Sequence, residues 1–216
     1  MHIFFDIDGT LIRYTKRMYD LYATYAHTHG YSALDKPVYL QKKREGVSER
    51  SIALETFPPG SFEEYISWKR SLIETPNMLA TDKLVPGITP VLTMLARHHA
   101  LIALSARQSK KRLVDQLKRL NILNNFSHVI CVSDIANQVE GKTEGIRNYL
   151  ITHHVTASQA VVVGDAEVDV MAAAQSSIAA IAVSWGTRSA SFLARHGAHT
   201  VITTPDQLLR YLMTSV

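Results

Sequence analysis

The chain reads as a doubly wound α/β protein, a parallel sheet covered by helices on both faces, with a small all-helical domain inserted near its beginning. Three observations predict this. From residue 88 onward short apolar runs alternate with helical apolar periods, the pattern of βα units and a parallel sheet. Between Thr10 and Pro86 there are helical periods and no convincing strand. Acidic or hydroxyl residues stand where several apolar runs end, the place where open α/β sheets bind ligands.

The first run, Ile3-Phe4-Phe5, opens directly into Asp6-Ile7-Asp8-Gly9-Thr10-Leu11. Strand alternation sends Asp6 and Asp8 to one side and Ile7 to the other. Two carboxylates at one strand end repel, so a hard, oxygen-seeking cation such as Mg2+ is the expected third party. Gly9 lets backbone N–H groups approach an anion, and Thr10 can hydrogen-bond the turn. An Asp-rich cap would account for a lone Asp-x-Asp, but poorly for the full string behind an apolar strand.

The inserted segment is expected over 14–85, leaving 1–13 and 86–216 as the α/β core. Met18, Leu21, Tyr22 and Tyr25 form an apolar stripe that Gly30 can end. Ser61 and Glu64 make a capping-box pattern before Phe62, Tyr65, Ile66, Lys69, Leu72 and Ile73. Pro58-Pro59-Gly60 separates two such helices, and Pro86-Gly87 returns the chain to the core.

In the core, Thr89 is placed to cap a helix with Pro90 at its first position and Val91, Leu92 and Leu95 on one face. The strand Leu101-Ile102-Ala103-Leu104 ends at Ser105-Ala106 and is followed by a helix with Leu113, Val114, Leu117 and Leu120. A strand His128 to Val132 precedes Gly141-Lys142-Thr143-Glu144, which opens a helix bearing Ile146, Tyr149 and Leu150. Val161-Val162-Val163 runs into Gly164-Asp165-Ala166-Glu167-Val168-Asp169, then a helix of Val170, Met171 and Ala174. Asp165 and Asp169, four residues apart, fall on neighbouring faces and can serve one cation, with Glu167 solvated between them. Strands Ala179 to Val183 and Thr200 to Ile202, and a helix capped near Thr204-Pro205-Asp206, complete the chain.

Asp6-Ile7-Asp8-Gly9-Thr10-Leu11, Ser105, Lys142 and the Gly164-to-Asp169 segment resemble, in order, the four motifs of the haloacid dehalogenase superfamily of phosphatases. The resemblance covers nearly the whole chain. It implies a Rossmann-like core carrying the small helical cap of the phosphoglycolate-phosphatase-like branch. It implies a Mg2+-dependent phosphatase in which Asp6 forms an aspartyl-phosphate and Asp8 serves as acid and then base. Gly9, Thr10, Ser105, Ala106 and Lys142 would hold the phosphoryl group, a hydroxyl without repelling the dianion and the lysine by neutralising it. Mg2+ would sit on Asp6, the Asp8 carbonyl and Asp165, with Asp169 as ligand or support.

The same resemblance marks departures. Arg107 stands where the family often has Asn, and Ser176-Ser177-Ile178 points to a divergent member. Trp185-Gly186-Thr187-Arg188 resembles the branch's post-strand loop, with Arg188 structural. Gly46-Val47-Ser48-Glu49-Arg50 resembles the glycine-containing cap loop, making Lys43, Arg44 and Arg50 candidates to read an anionic substrate group, against the competing reading of a solvated basic face. The expected partner is a small phosphorylated metabolite: phosphoglycolate-like, a nucleotide or a sugar phosphate. A phosphomutase or phosphotransferase shares all four motifs and stays open, as does a non-catalytic phospho-ligand-binding protein of this fold. A dehalogenase would need neither Asp8 nor a metal, and a phosphoryl pump would need membrane segments.

Composition bounds these readings. At 216 residues and 46% hydrophobic content, one α/β domain plus a modest insertion fits. The single cysteine, Cys131, excludes a disulfide framework and suits a reducing compartment. No apolar stretch reaches spanning length, and a cleaved leader would remove the first motif, so a cytoplasmic protein without a membrane partner is expected. Net charge is 23 − 19 = +4. Its clearest cluster, Lys42-Lys43-Arg44 with Arg50, has no zinc-finger spacing or aromatic RNA-binding signature beside it, which favours solubility or an anionic substrate over nucleic acid. His27, His29, His98, His99, His153 and His154 lack zinc spacing and read as surface residues.

Overall fold

The computed structural model describes residues 1–132 and 137–214. In chain order its elements are β1 (His2–Asp6), β2 (Ile12–Arg13), α1 (Thr15–Thr28), α2 (Lys36–Arg44), α3 (Glu49–Thr56), α4 (Ser61–Leu72), α5 (Pro76–Ala80), β3 (Lys83–Leu84), α6 (Ile88–Leu95), β4 (Ala100–Ser105) and α7 (Lys110–Arg119). There follow β5 (His128–Cys131), α8 (Gln138–Thr152), β6 (Ala160–Gly164), α9 (Glu167–Gln175), β7 (Ala179–Val183), α10 (Ala190–Arg195), β8 (Thr200–Ile202) and α11 (Pro205–Thr214). Residues 1–13 and 83–216 make one compact unit and 14–82 a second.

The first unit is built on a six-stranded sheet of order β5-β4-β1-β6-β7-β8, parallel throughout. Alternate residues of β1 feed two separate cores. Ile3 and Phe5 pack with α6, α7 and α11 through Leu92, Leu113 and Leu208, whereas Phe4 packs with α8 and α9 through Ile146 and Val170. Helices therefore cover both faces of the sheet. The chain leaves β1 first for β4 and later for β6, so the topological switch point lies beside β1. There the crossovers diverge and leave a crevice at the strands' carboxyl ends. The α8 helix comes close to the sheet: a Cβ on Gly145 would meet Ile130 Cγ2 at 2.9 Å. Among the described residues, no helix is long and apolar enough to cross a membrane.

The helical unit has its own core of stacked aromatics, with Tyr22 on Tyr39 at 4.7 Å and on Phe57 at 5.5 Å between ring centres. Beneath it lies a buried ion pair. Arg17 donates from Nε to Asp82 Oδ1 at 3.2 Å and from one amino group to the Ile73 carbonyl at 3.0 Å. A second amino group lies 3.0 Å from Asp82 Oδ2.

Several local expectations are corrected. Before α4 the cap is Gly60, with φ +90°, and Ser61 is already helical, so the Ser61–Glu64 capping box does not form. Before α6 the cap is Gly87, with φ +83°, two residues ahead of Thr89. At both places the chain enters the helix through a left-handed residue, which glycine allows without a side-chain acceptor. Met171 and Ala174 face outward, Met171 at 43% exposure, because α9 turns Asp169, Val170, Ala172 and Ala173 inward. The stretch read as strand-free contains a short antiparallel ribbon, Ile12 opposite Leu84 and Arg13 opposite Lys83, which places residues 83–85 with the α/β unit. Two-residue strands carry too few alternating positions to be read from sequence.

Asp82→Ala leaves the Arg17 guanidinium buried without its carboxylate. We expect a loss of about 3–5 kcal/mol in chemical denaturation, of the size seen when one partner of a buried pair is removed; a loss near zero would mean the pair does not support the helical unit.

Candidate active site

The site begins with the end of β1. Asp6 is its last residue, in register with Leu104 of β4, and Phe5 faces Val163 of β6. The ends of β4 and β6 therefore bring Ser105 and Asp165 to the same edge. Beyond Asp6 the chain folds into a tight turn: Gly9 N–H donates to the Ile12 carbonyl at 2.8 Å, and the N–H groups of Leu11 and Ile12 donate to the Ile7 carbonyl, each at 3.0 Å. Gly9, at φ +102°, lies so near Asp165 that a Cβ there would overlap its carboxylate. Gly164 stands against Asp169 and Gly186 against Asp165 in the same way.

Three buried carboxylates, Asp6, Asp165 and Asp169, place oxygens within 4.8 Å of one another. Into this cluster α8 delivers one ammonium group. Lys142 Nζ donates to Asp6 Oδ1 at 2.6 Å and to Asp169 Oδ1 at 2.5 Å. The Thr10 hydroxyl reaches Asp6 Oδ2 at 3.1 Å and Asp165 Oδ1 at 3.3 Å. The backbone N–H of Thr187 donates to Asp165 Oδ2 at 2.5 Å, and that of Ala166 to Asp169 Oδ2 at 3.2 Å.

One cation against three anions leaves the cluster short of positive charge. Burial raises the proton affinity of Asp6 well above the carboxylate range, and Asp169 and Asp165 add to what Lys142 offsets only in part. Burial and Asp169 push Asp165 up to about 6. Burial alone would lower Lys142, but Asp169 and Asp6 overcome it and hold the ammonium charged. Buried carboxylates facing one another with all-oxygen donors fit a hard divalent ion, which would restore the balance and keep Asp6 ionised.

Asp8 stands apart from that cluster. The expectation that Asp6 and Asp8 chiefly repel each other is corrected, because Asp8 has a cation of its own. Arg107 Nε donates to Asp8 Oδ2 at 2.6 Å, and an amino group donates to Oδ1 at 2.7 Å. This is the two-point fork in which guanidinium holds a carboxylate best. Its remaining amino group donates to Gln116 at 2.5 Å, and Cys131 Sγ donates to the Arg107 carbonyl at 3.0 Å. Ser105 is buried, accepts the Arg107 backbone N–H at 3.3 Å, and caps no helix; Ser109 caps α7 instead. Ala106 lies between Ser105 and Arg107 in this bend.

Glu167, expected in solvent, is corrected: Arg188 forks onto it with two bonds of 2.7 Å. Sequence reasoning missed the approach of Gly186 and of the Thr187 N–H to Asp165, which no acidic neighbour in the chain announces. The three basic candidates belong to the helical unit. Lys43 is buried 3.3 Å from Glu49, which also takes Lys69 at 2.5 Å and the Tyr39 hydroxyl at 2.8 Å. Although its partial burial opposes ionisation, Lys69 and Lys43 hold the Glu49 carboxyl down at about 2. Arg50 pairs with Glu63 at 3.1 Å and lies over the Phe62 ring, and Arg44 is half-buried at the end of α2.

A family model described as haloacid dehalogenase-like hydrolase matches residues 3–183. A phosphoglycolate phosphatase from Synechococcus elongatus is 23% identical over 208 residues, 96% of this chain and 95% of that protein. Among solved structures, a haloacid dehalogenase-like family hydrolase from Streptococcus pneumoniae superposes with a TM-score of 0.83 at 22% identity, over 98% of this chain and 97% of the other. A predicted phosphatase from Clostridium acetobutylicum gives 0.78 at 18% identity, over the same shares. At these identities the structural likeness is one of fold.

The charge imbalance makes stability depend on pH. Asp165 titrates near 6 when folded and 3.8 when unfolded. Between these values the folded protein binds more protons, so stability falls as pH rises through the window and stays lower above it. In the presence of a chelator, the Tm should drop from pH 4 to pH 6. Added Mg2+ should raise it at pH 7 and much less at pH 4, where bound protons already relieve the repulsion. Scanning calorimetry across this range checks both statements; a Tm that climbs through the window would contradict them.

Proposed function

The chain belongs to the haloacid dehalogenase-like hydrolase family, and we propose that it hydrolyses a small phosphomonoester at the carboxylate centre through an aspartyl-phosphate on Asp6. The observation that carries this reading is the Lys142 ammonium shared between Asp6 and Asp169 beside Asp165, at the carboxyl ends of β1 and β6. The phosphatase named among the relatives supports the reaction class.

Asp6 attacks phosphorus in line. Its Oδ–P bond forms as the ester P–O bond breaks, and the leaving oxygen takes a proton from Asp8. A water then attacks the aspartyl-phosphate and gives its proton to Asp8, releasing inorganic phosphate and restoring the Asp6 carboxylate. Lys142 neutralises the nucleophile and the incoming dianion, which would otherwise repel each other. The Ser105 hydroxyl and the Gly9–Thr10 turn offer neutral donors to the phosphoryl oxygens. Asp6, the Asp8 carbonyl, Asp165 and Asp169 are the groups that would hold Mg2+, which when bound supplies the positive charge this centre lacks.

Arg107 is a positioning residue for Asp8. Its fork, from Nε to one Asp8 oxygen and from an amino group to the other, fixes the plane of the Asp8 carboxyl. The helical unit is the substrate-selecting cap in this reading, with Lys43, Arg44 and Arg50 as its basic candidates.

Phosphate release from a panel of phosphomonoesters, with and without Mg2+, tests the reaction. We expect Mg2+-dependent turnover that falls roughly a thousandfold or more in Asp6→Asn, the scale on which nucleophile removal acts. Turnover retained in that variant would exclude Asp6 as nucleophile, and phosphoryl transfer to a sugar without phosphate release would indicate a mutase.

For Arg107→Met, kcat on alkyl phosphates should fall about a hundredfold, within the range assigned to general acid catalysis. On p-nitrophenyl phosphate, whose leaving group needs little protonation, it should fall far less. Equal losses on both substrates would assign Arg107 a role other than orienting Asp8.

A further inference from the structure

The sheet has a second end, and a pair of imidazoles meets there. His128 is the first residue of β5 and His153 directly follows α8, so both lie at the amino-terminal edge, opposite the carboxylates. Their Nε2 atoms are 3.1 Å apart, with ring centres at 4.6 Å.

Which nitrogens carry protons follows from their other partners. His153 Nδ1 lies 3.0 Å from the Tyr149 carbonyl, which can only accept, so Nδ1 holds the hydrogen and the neutral ring leaves Nε2 a bare lone pair. His128 Nδ1 lies 3.3 Å from Ser127 Oγ. That hydroxyl gives its one hydrogen to the Leu101 carbonyl at 3.1 Å, so it accepts from Nδ1 and leaves His128 Nε2 bare as well. The Tyr149 ring stacks on His153 at 4.1 Å and stands edge-on to His128 at 5.1 Å, holding both rings. Two lone pairs aimed into one 3.1 Å gap repel unless something positive lies between them.

We propose that His128 and His153 form a metal site, distinct from the carboxylate centre, that binds one borderline divalent cation such as Zn2+, Ni2+ or Cu2+ through their two Nε2 atoms. The spacing suits this chemistry. Two Zn–N bonds of about 2.05 Å meeting at roughly 100° put the nitrogens about 3.1 Å apart. Imidazole pairs select borderline ions over Mg2+, which prefers oxygen. Each ligand already donates its Nδ1–H to an oxygen, the arrangement that fixes tautomer and raises ligand basicity. Both rings are exposed, so water can complete the coordination. Burial, and then the neighbouring His153, hold His128 below the usual imidazole range, which favours its neutral form. The bound ion would clasp the start of β5 to the end of α8, the helix that carries Lys142 at its other end. His153, which sequence alone assigns to bare surface, thus gains a partner.

Long-range 1H–15N spectra of the full chain in excess Mg2+, titrated with Zn2+, read this site residue by residue. We expect both rings to be Nδ1-protonated before addition, and the His128 and His153 Nε2 signals to move together. His128→Gln should weaken the Zn2+ response of His153 by at least about tenfold, and His153→Gln that of His128. Circular dichroism and Mg2+-dependent turnover should be unchanged. Nε2 signals that stay put under excess Zn2+, a proton shared between them that Zn2+ does not displace, or a response unaffected by the partner's substitution would overturn the proposal.

Discussion

The ammonium group of Lys142 is the interaction on which this site depends. Asp6, Asp165 and Asp169 arrive from the ends of β1 and β6 and the start of α9, and no one of them is near another in sequence except the last two. Bringing three buried carboxylates together is unfavourable by itself. Lys142 partly offsets it, and the packing of α8 against β5 through Gly145 keeps the lysine where it can. The residual negative charge suits a divalent cation, whose charge would also let an anionic phosphoryl group approach in the proposed reaction.

The second constraint is separation of roles. Asp6 and Asp8 are two residues apart yet sit in different electrostatic surroundings, one among acids and a lysine, the other in an arginine fork. In the proposed reaction Asp6 stays ionised as nucleophile while Asp8 changes state as proton carrier, and two like groups with such different tasks need unlike neighbours. The turn at Gly9 and the bend after Ser105 provide them.

Much of this was legible in the chain. Apolar runs marked the strands of the main sheet, the acids and Ser105 stood at or just beyond their ends, and Lys142 stood on a helical period, because burial and charge leave strong local patterns. What was not legible depends on contacts between distant segments. The Arg107 fork joins residues 99 positions apart, and its sequence sign was only a departure from the family's Asn. Glu167 and Arg188 meet across 21 residues. Gly60 and Gly87 took over as caps from Ser61 and Thr89 because backbone geometry outweighed side-chain capping chemistry. The Ile12–Arg13 and Lys83–Leu84 ribbon was too short to leave a period.

The glycines around the acids carry a wider implication. Gly9, Gly164 and Gly186 come from three distant parts of the chain, yet each occupies space that a single methyl group would take from Asp165 or Asp169. The backbone sides of these two carboxylates are thus closed, because a side chain added at any of the three positions would have to displace one of them. A change of substrate preference that left the carboxylates in place would therefore have to come from residues outside this collar.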